Sequence, residues 1–188
     1  MCLVDSKESA GLFMFKILMK GKKMKIEKKT LNETLKVLGK VVSHNGVFRE
    51  FQSKFMKNLS RKGLKPQYVA VREQSKEKHQ HYHVALILDG QKTQSIHNHI
   101  HTAERLWDLT LGLPARENGY GLIDDCTTNR NGDKQENGVI LRYDDPFRYD
   151  KKEDCFRRAS YLAKTNTKGN TPKGQRELFS SRIPKENT

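Results

Sequence analysis

Cysteine is scarce in this chain, with three in 188 residues. Cys2, Cys126 and Cys155 are odd in number and no two stand in a Cys-x-x-Cys pair, which argues against a disulfide framework and against a thiolate zinc site. A reducing cytoplasm suits such a chain. Long hydrophobic runs are missing too. The longest near the start, residues 11–19, is interrupted by Lys16 and is too short to cross a bilayer. Asp5 and Glu8 ahead of it are wrong for a signal peptide, so neither a leader nor a membrane partner is expected. There is no Gly-rich loop of the Walker or dinucleotide type and no internal repeat. Acidic residues are outnumbered, 22 Asp and Glu against 36 Lys and Arg, and the resulting charge of +14 favours a polyanionic partner, nucleic acid first. The length suits one domain with a short appendage at most.

The first 43 residues form a basic segment. A strand is expected at residues 12–19, and the Thr30/Glu33 capping box with Leu31, Leu35, Leu38 and Val42 at helical period predicts a helix over 31–42. After a break at 43–46, Phe48, Phe51, Phe55 and Leu59 fall on one helical stripe. Arg49, Lys54, Lys57, Arg61 and Lys62 take the solvent side until Gly63 ends the pattern. Residues 68–74 read as a strand, 75–78 as a turn, and 81–88 as a second strand, together a hairpin. Ile96, Ile100, Ala103, Trp107 and Leu111 repeat at helical spacing until Gly112. Two further strands are expected at 120–124 and 139–143, then a helix from about 152 to 164. Residues 165–188 read as a basic tail without strong periodicity.

The segment KHQHYHVALILDG sets three histidines at alternate positions. On a strand, His79, His81 and His83 share one face while Tyr82, Val84, Leu86 and Leu88 take the other. Such a strand can simply have one wet face, and spacing does not decide the matter. The preceding strand decides more, because a short turn brings Glu73 or Gln74 opposite the imidazoles. Two nitrogens and an oxygen then form a set that suits Mg²⁺ or Mn²⁺ with positions open for substrate oxygens. His97, His99 and His101 offer the same spacing at the start of a helix, where residues two apart do not face each other. That group is assigned to solvent or phosphate contact.

The segment RRASYLAK places Arg157, Tyr161, Lys164 and Lys168 along one helical stripe, with Cys155, Ala159 and Leu162 on the buried one and Phe156 and Ala163 beside it. A phenol of ordinary pKa near 10 needs help to lose its proton, and flanking cations or a metal-activated phosphate give that help. An amphipathic tyrosine at a helix boundary is the commoner meaning of a single Tyr, and Tyr120, Tyr143 and Tyr149 are read that way.

His81-Tyr82-His83 resembles the His-hydrophobic-His motif of HUH endonucleases, and Tyr161-Leu-Ala-Lys164 resembles their Tyr-x-x-Lys motif. More specifically, residues from about 48 to 185 resemble the inovirus gene II (replication initiator) protein family of filamentous phages and prophages, through VREQ, HYHVALILD, SYLAKTNTK and RELFSSRIPK. The resemblance implies an α+β fold, a central antiparallel β-sheet flanked by α-helices, with residues 44–185 as an HUH-type nuclease domain carrying a basic C-terminal tail. It implies a rolling-circle initiator that nicks and joins single-stranded origin DNA in a bacterial host cytoplasm, alongside host replication proteins.

Carried over by residue, His81 and His83 are ligands to Mg²⁺ or Mn²⁺. Glu73 is preferred to Gln74 as the third, since an anionic oxygen better suits a hard cation. Tyr161 forms a 5′-phosphotyrosyl link and Lys164 neutralises the phosphate. One tyrosine stands on that helix where some initiators use a pair. Arg49, Lys54, Lys57, Arg61, Arg157, Lys168, Lys173, Arg176 and Arg182 are candidates for DNA backbone contact. A single-tyrosine transposase or relaxase would use the same residues, a non-catalytic prophage DNA-binding protein would need none of the site, and an RNA-binding module would need exposed aromatics such as Tyr68 and Tyr82.

Overall fold

The computed structural model describes residues 12–20, 45–74, 80–114, 121–129, 131–160, 162 and 171–182, with the backbone alone for 12–18 and 20. The helix expected at 31–42 and the turn expected at 75–78 lie outside the described residues. Among the described residues nine elements follow in chain order: β1 (Leu12–Lys20), α1 (Gly46–Arg61), β2 (Gln67–Glu73), β3 (His81–Asp89), α2 (His97–Leu111), β4 (Ile123–Asp124), β5 (Val139–Leu141), α3 (Arg148–Ser160) and β6 (Leu178–Ser180). The fold is α+β, an antiparallel sheet in the order β4-β1-β3-β2-β6 with β5 also pairing β1.

β3 is the inner strand around which the rest assembles. β1 pairs with it along nine residues, from Leu12↔Asp89 to Lys20↔His81, and β2 pairs on its other side from Gln67↔Ile87 to Glu73↔His81. The strand expected within the first 43 residues is therefore part of the same sheet. Alternation turns Tyr82, Val84, Leu86 and Leu88 toward α1 and α2, whose apolar stripes meet them. Phe48, Phe51, Phe55 and Leu59 come from α1, and Ile100, Ala103, Trp107 and Leu111 from α2. The Phe48 ring stacks on Tyr82 at 4.0 Å between centroids, and Trp107 meets Phe51 edge-on at 5.4 Å. Each buried ring of this size removes roughly 150–250 Å² of surface from water, so this layer supplies most of the driving force.

Gly63 takes φ +71° after α1, where its N–H bonds the Ser60 carbonyl and Leu64 bonds that of Leu59. This closure turns the chain back toward β2 and costs a residue with a Cβ more than it costs glycine.

Four elements differ from the sequence expectation, one of them the strand expected at 139–143, which ends at Leu141. The helix expected from 152 begins at Arg148, because the Asp145 carboxylate accepts the Phe147 N–H at 2.9 Å and its carbonyl accepts the Arg148 N–H at 3.0 Å. The strand expected at 120–124 is two residues long, Ile123–Asp124, with Tyr120 outside the described residues. The tail at 165–188 contains β6, which pairs Leu178↔Val71, Phe179↔Ala70 and Ser180↔Val69 and buries Phe179 in the core. Three residues are too few to show a period, and their pairing comes from β2.

Candidate metal centre

Glu73 is the last residue of β2 and His81 the first of β3, and the two are direct partners in the ladder. The next pair, Arg72 and Tyr82, turns to the helical side, and the one after, Val71 and His83, turns back. Strand parity thus puts Glu73, His81 and His83 together on the face away from α1 and α2. Glu73 Oε2 lies 3.1 Å from His81 Nε2 and 3.2 Å from His83 Nε2, and the imidazole rings sit 5.3 Å apart at 73°. One ligand atom from each residue falls within 4.8 Å of the others. Gln74, the alternative third ligand, instead accepts a hydrogen bond of 2.7 Å from the Arg72 guanidinium.

This donor set fits a divalent cation. Glu73 is buried, and a buried carboxylate is costly unless positive charge or donors compensate it. Two neutral imidazoles and a carboxylate, each able to ligate, give an N₂O set that Mn²⁺ accepts readily and Mg²⁺ accepts with more of its own water retained.

Behind the centre lies a buried polar network that the sequence reading did not single out. Asn45 Oδ1 accepts the Tyr82 hydroxyl at 2.8 Å and Arg72 Nη1 at 3.2 Å, while Gln80 Nε2 donates to the same hydroxyl. Asn45 Nδ2 donates to the Arg176 carbonyl at 2.9 Å, and its N–H to Gln175 Oε1 at 3.2 Å. Burial lowers the Arg72 pKa, opposed by nearby Tyr82 and Glu177. Burial also pushes the Tyr82 phenol up to about 12, against the pull of Arg72. Parity held the signal for Arg72, which alternates with Tyr68 and Ala70 on the core side. Tyr82 is accordingly no stacking residue for a nucleic acid.

Tyr161, Lys164 and Lys168 lie outside the described residues. Their neighbour Leu162 is buried in a small apolar cluster with Val71 and Ala85. Both partners share the parity of Glu73, His81 and His83, so the chain just beyond α3 returns to the face of the metal centre. Cys155 is buried and Ala159 partly so, as expected of the inner stripe, whereas Phe156, expected beside it, is 66% exposed. Arg157 is also exposed and pairs with Asp154 at 2.7 Å, a contact that raises its pKa.

The remaining cations are spread widely. Arg49, Lys54, Lys57 and Arg61 are exposed on α1, which covers the sheet face opposite the centre, and Lys54 pairs with Glu50 at 2.6 Å. Lys173, Arg176 and Arg182 are exposed on either side of β6, beside β2. The structure does not gather the α1 group with the metal-site residues. Of the second histidine group, His97 and His101 are exposed with rings 4.5 Å apart, but His99, assigned to solvent or phosphate, is buried and shares a 2.8 Å hydrogen bond with Thr93 Oγ1. Helical geometry turns it inward, next to Ile100.

Among the described residues no helix is long and apolar enough to cross a membrane. A family model described as the YagK/YfjJ C-terminal domain matches residues 47–179, well over half of the chain. No curated protein matches it. Among solved structures, the catalytic domain of the adeno-associated virus type 5 Rep protein is similar at 10% identity, over 81% of this chain and 98% of that one, with a TM-score of 0.35.

Proposed function

The chain belongs to the YagK/YfjJ C-terminal domain family, and because the matched segment carries the Glu73, His81 and His83 cluster, we propose that it is a metal-dependent enzyme that nicks and rejoins single-stranded DNA. The observation that carries this reading is the placement of Glu73 Oε2 within 3.2 Å of both Nε2 atoms. Binding DNA needs no such convergence of ligand atoms. A divalent ion bound there supplies Lewis-acid polarisation of a phosphate oxygen.

The chain's own residues do the rest. Glu73, His81 and His83 hold the ion on rigid strands, where their positions are set by the ladder. Tyr161 is the nucleophile: its oxygen bonds to phosphorus as the P–O3′ bond breaks, and the departing 3′ oxygen takes up a proton. The 5′-phosphotyrosine that results keeps the bond available for rejoining. Lys164 offsets phosphate charge. The burial of Leu162 against the face of the metal centre supports this role for Tyr161, its immediate neighbour. The cationic character of the whole chain, +14, suits a polyanionic strand.

The finer reading is a rolling-circle replication initiator of inovirus gene II type, acting on origin DNA with host replication proteins in a bacterial cytoplasm. It rests on the His-x-His and Tyr-x-x-Lys motifs and their order. The test is to incubate the protein with single-stranded DNA and Mn²⁺ and resolve the products on a denaturing gel. A covalent protein–DNA adduct is expected from the wild type and none from Tyr161→Phe, with DNA binding retained; an undiminished adduct in that variant would move the nucleophile elsewhere.

A further inference from the structure

Seven large apolar side chains stand exposed among the described residues, and four of them are aromatics between positions 143 and 156. Tyr143, Phe147, Tyr149 and Phe156 are 62%, 64%, 78% and 66% exposed. Tyr149 and Phe156 are seven apart on α3, so they share one stripe about 10 Å long. Cys155, about 100° round the helix from Phe156, is packed inward, and beyond the helix Leu162 joins the sheet face of the metal centre. The rings therefore lie on the outer side of the element that leads to that centre. A concentration of exposed rings marks an interaction surface.

The chemistry around the rings points to their occupant. The Arg148 guanidinium lies 4.8 Å above the Tyr143 ring. Asp145 is neutralised by Lys151, and Asp154 by Arg157 and Arg158, whereas Arg148 and Lys152 make no ion pair among the described residues. Asp144, Asp150 and Glu153 keep the local charge nearly balanced, so this face does not read phosphates by charge alone. Flat rings interleaved with guanidinium and ammonium groups suit unpaired bases, each of which offers a π-face. Duplex DNA keeps those faces stacked inside.

We propose that Tyr143, Phe147, Tyr149 and Phe156 form a stacking platform for the bases of single-stranded DNA. The inference rests on the DNA-nicking reading above. The platform supplies sequence-tolerant grip, and the chain-wide positive charge holds the phosphates.

The test is the binding of a fluorescently labelled oligo(dT) strand, followed by anisotropy in EDTA so that no chemistry intervenes. Tyr149→Ala combined with Phe156→Ala is expected to weaken binding by at least about fivefold, the smallest effect of losing one stacked base. Tyr149→Phe combined with Phe156→Tyr, which keeps both rings, is expected to bind as the wild type does. The salt dependence should be unchanged in every variant, since no phosphate contact is removed, and an abasic strand should bind the wild type and the alanine variant alike. Oligo(dT) binding by a folded alanine variant equal to wild type would overturn the platform. So would a wild-type dimer in sedimentation velocity that the alanine substitutions dissociate without affecting DNA, which would make the face a self-association surface. Adduct formation is read separately: its failure would sink the nicking reading and leave the binding result to decide the platform.

Discussion

The Glu73 carboxylate stands 3.1 Å from the Nε2 of His81, its direct partner across the β2–β3 ladder. Because the contact is fixed by strand register, the place of the carboxylate beside the imidazoles is set by backbone pairing and not by a flexible loop. Replacing His81 or His83 by Ala, or Glu73 by Gln, is expected to weaken Mn²⁺ binding by at least about 10- to 100-fold, since even outer partners of ligands cost that much. Isothermal titration with Mn²⁺ checks it. Retained affinity in all three variants would place the ion elsewhere.

Leu162 should act on Tyr161 through position. Leu162→Ala removes a buried side chain and leaves a void, at a cost of roughly 2–5 kcal/mol where the site does not collapse. The expected signature is slower adduct formation with Mn²⁺ affinity close to wild type, measured by single-turnover gel assay beside titration. Equal loss of both would mean that the substitution disturbs the sheet itself.

The Asn45 network predicts an asymmetry in stability. Asn45→Ala leaves buried Arg72 and the Tyr82 hydroxyl short of an acceptor and should cost roughly 1–3 kcal/mol or more, because one of the donors is charged. Arg72→Met removes the buried charge together with its need for partners and should cost less. Urea unfolding at neutral pH compares them, and a larger cost for Arg72→Met would contradict this account.

His99 predicts a pH dependence. Burial, with a contribution from the charge of Lys62, holds its pKa below the ordinary value. The unfolded chain therefore binds a proton that the folded chain resists, so stability is intact above the unfolded-state pKa of about 6.5 and falls as pH drops below it. The thermal midpoint should decrease between roughly pH 7.5 and 5.5, and less steeply in His99→Gln. Parallel curves for the two proteins would assign the acid sensitivity to other groups.

Much of the site was legible because its geometry is local. An alternating strand fixes which side chains share a face, so His81 and His83 follow from period alone, and Tyr82, Val84, Leu86 and Leu88 follow as the core side. The phenylalanine stripe of α1 and the Trp107 stripe of α2 were legible for the same reason, at a period of 3.6. Gln74 remained a rival to Glu73 because a one-residue change of register exchanges the faces of the whole strand.

By itself the sequence determined these faces, the charge and the identity of the groups that can ligate or attack, since each depends on residue type and short-range spacing. Beyond the β2–β3 hairpin, tertiary structure alone decided which strands are neighbours. It put β1 beside β3, enlisted β6 from an aperiodic tail and brought Leu162 to the face that carries Glu73. Those outcomes depend on contacts between residues far apart in the chain, whose loop-closure cost is met only when the whole core assembles, and no local pattern records them.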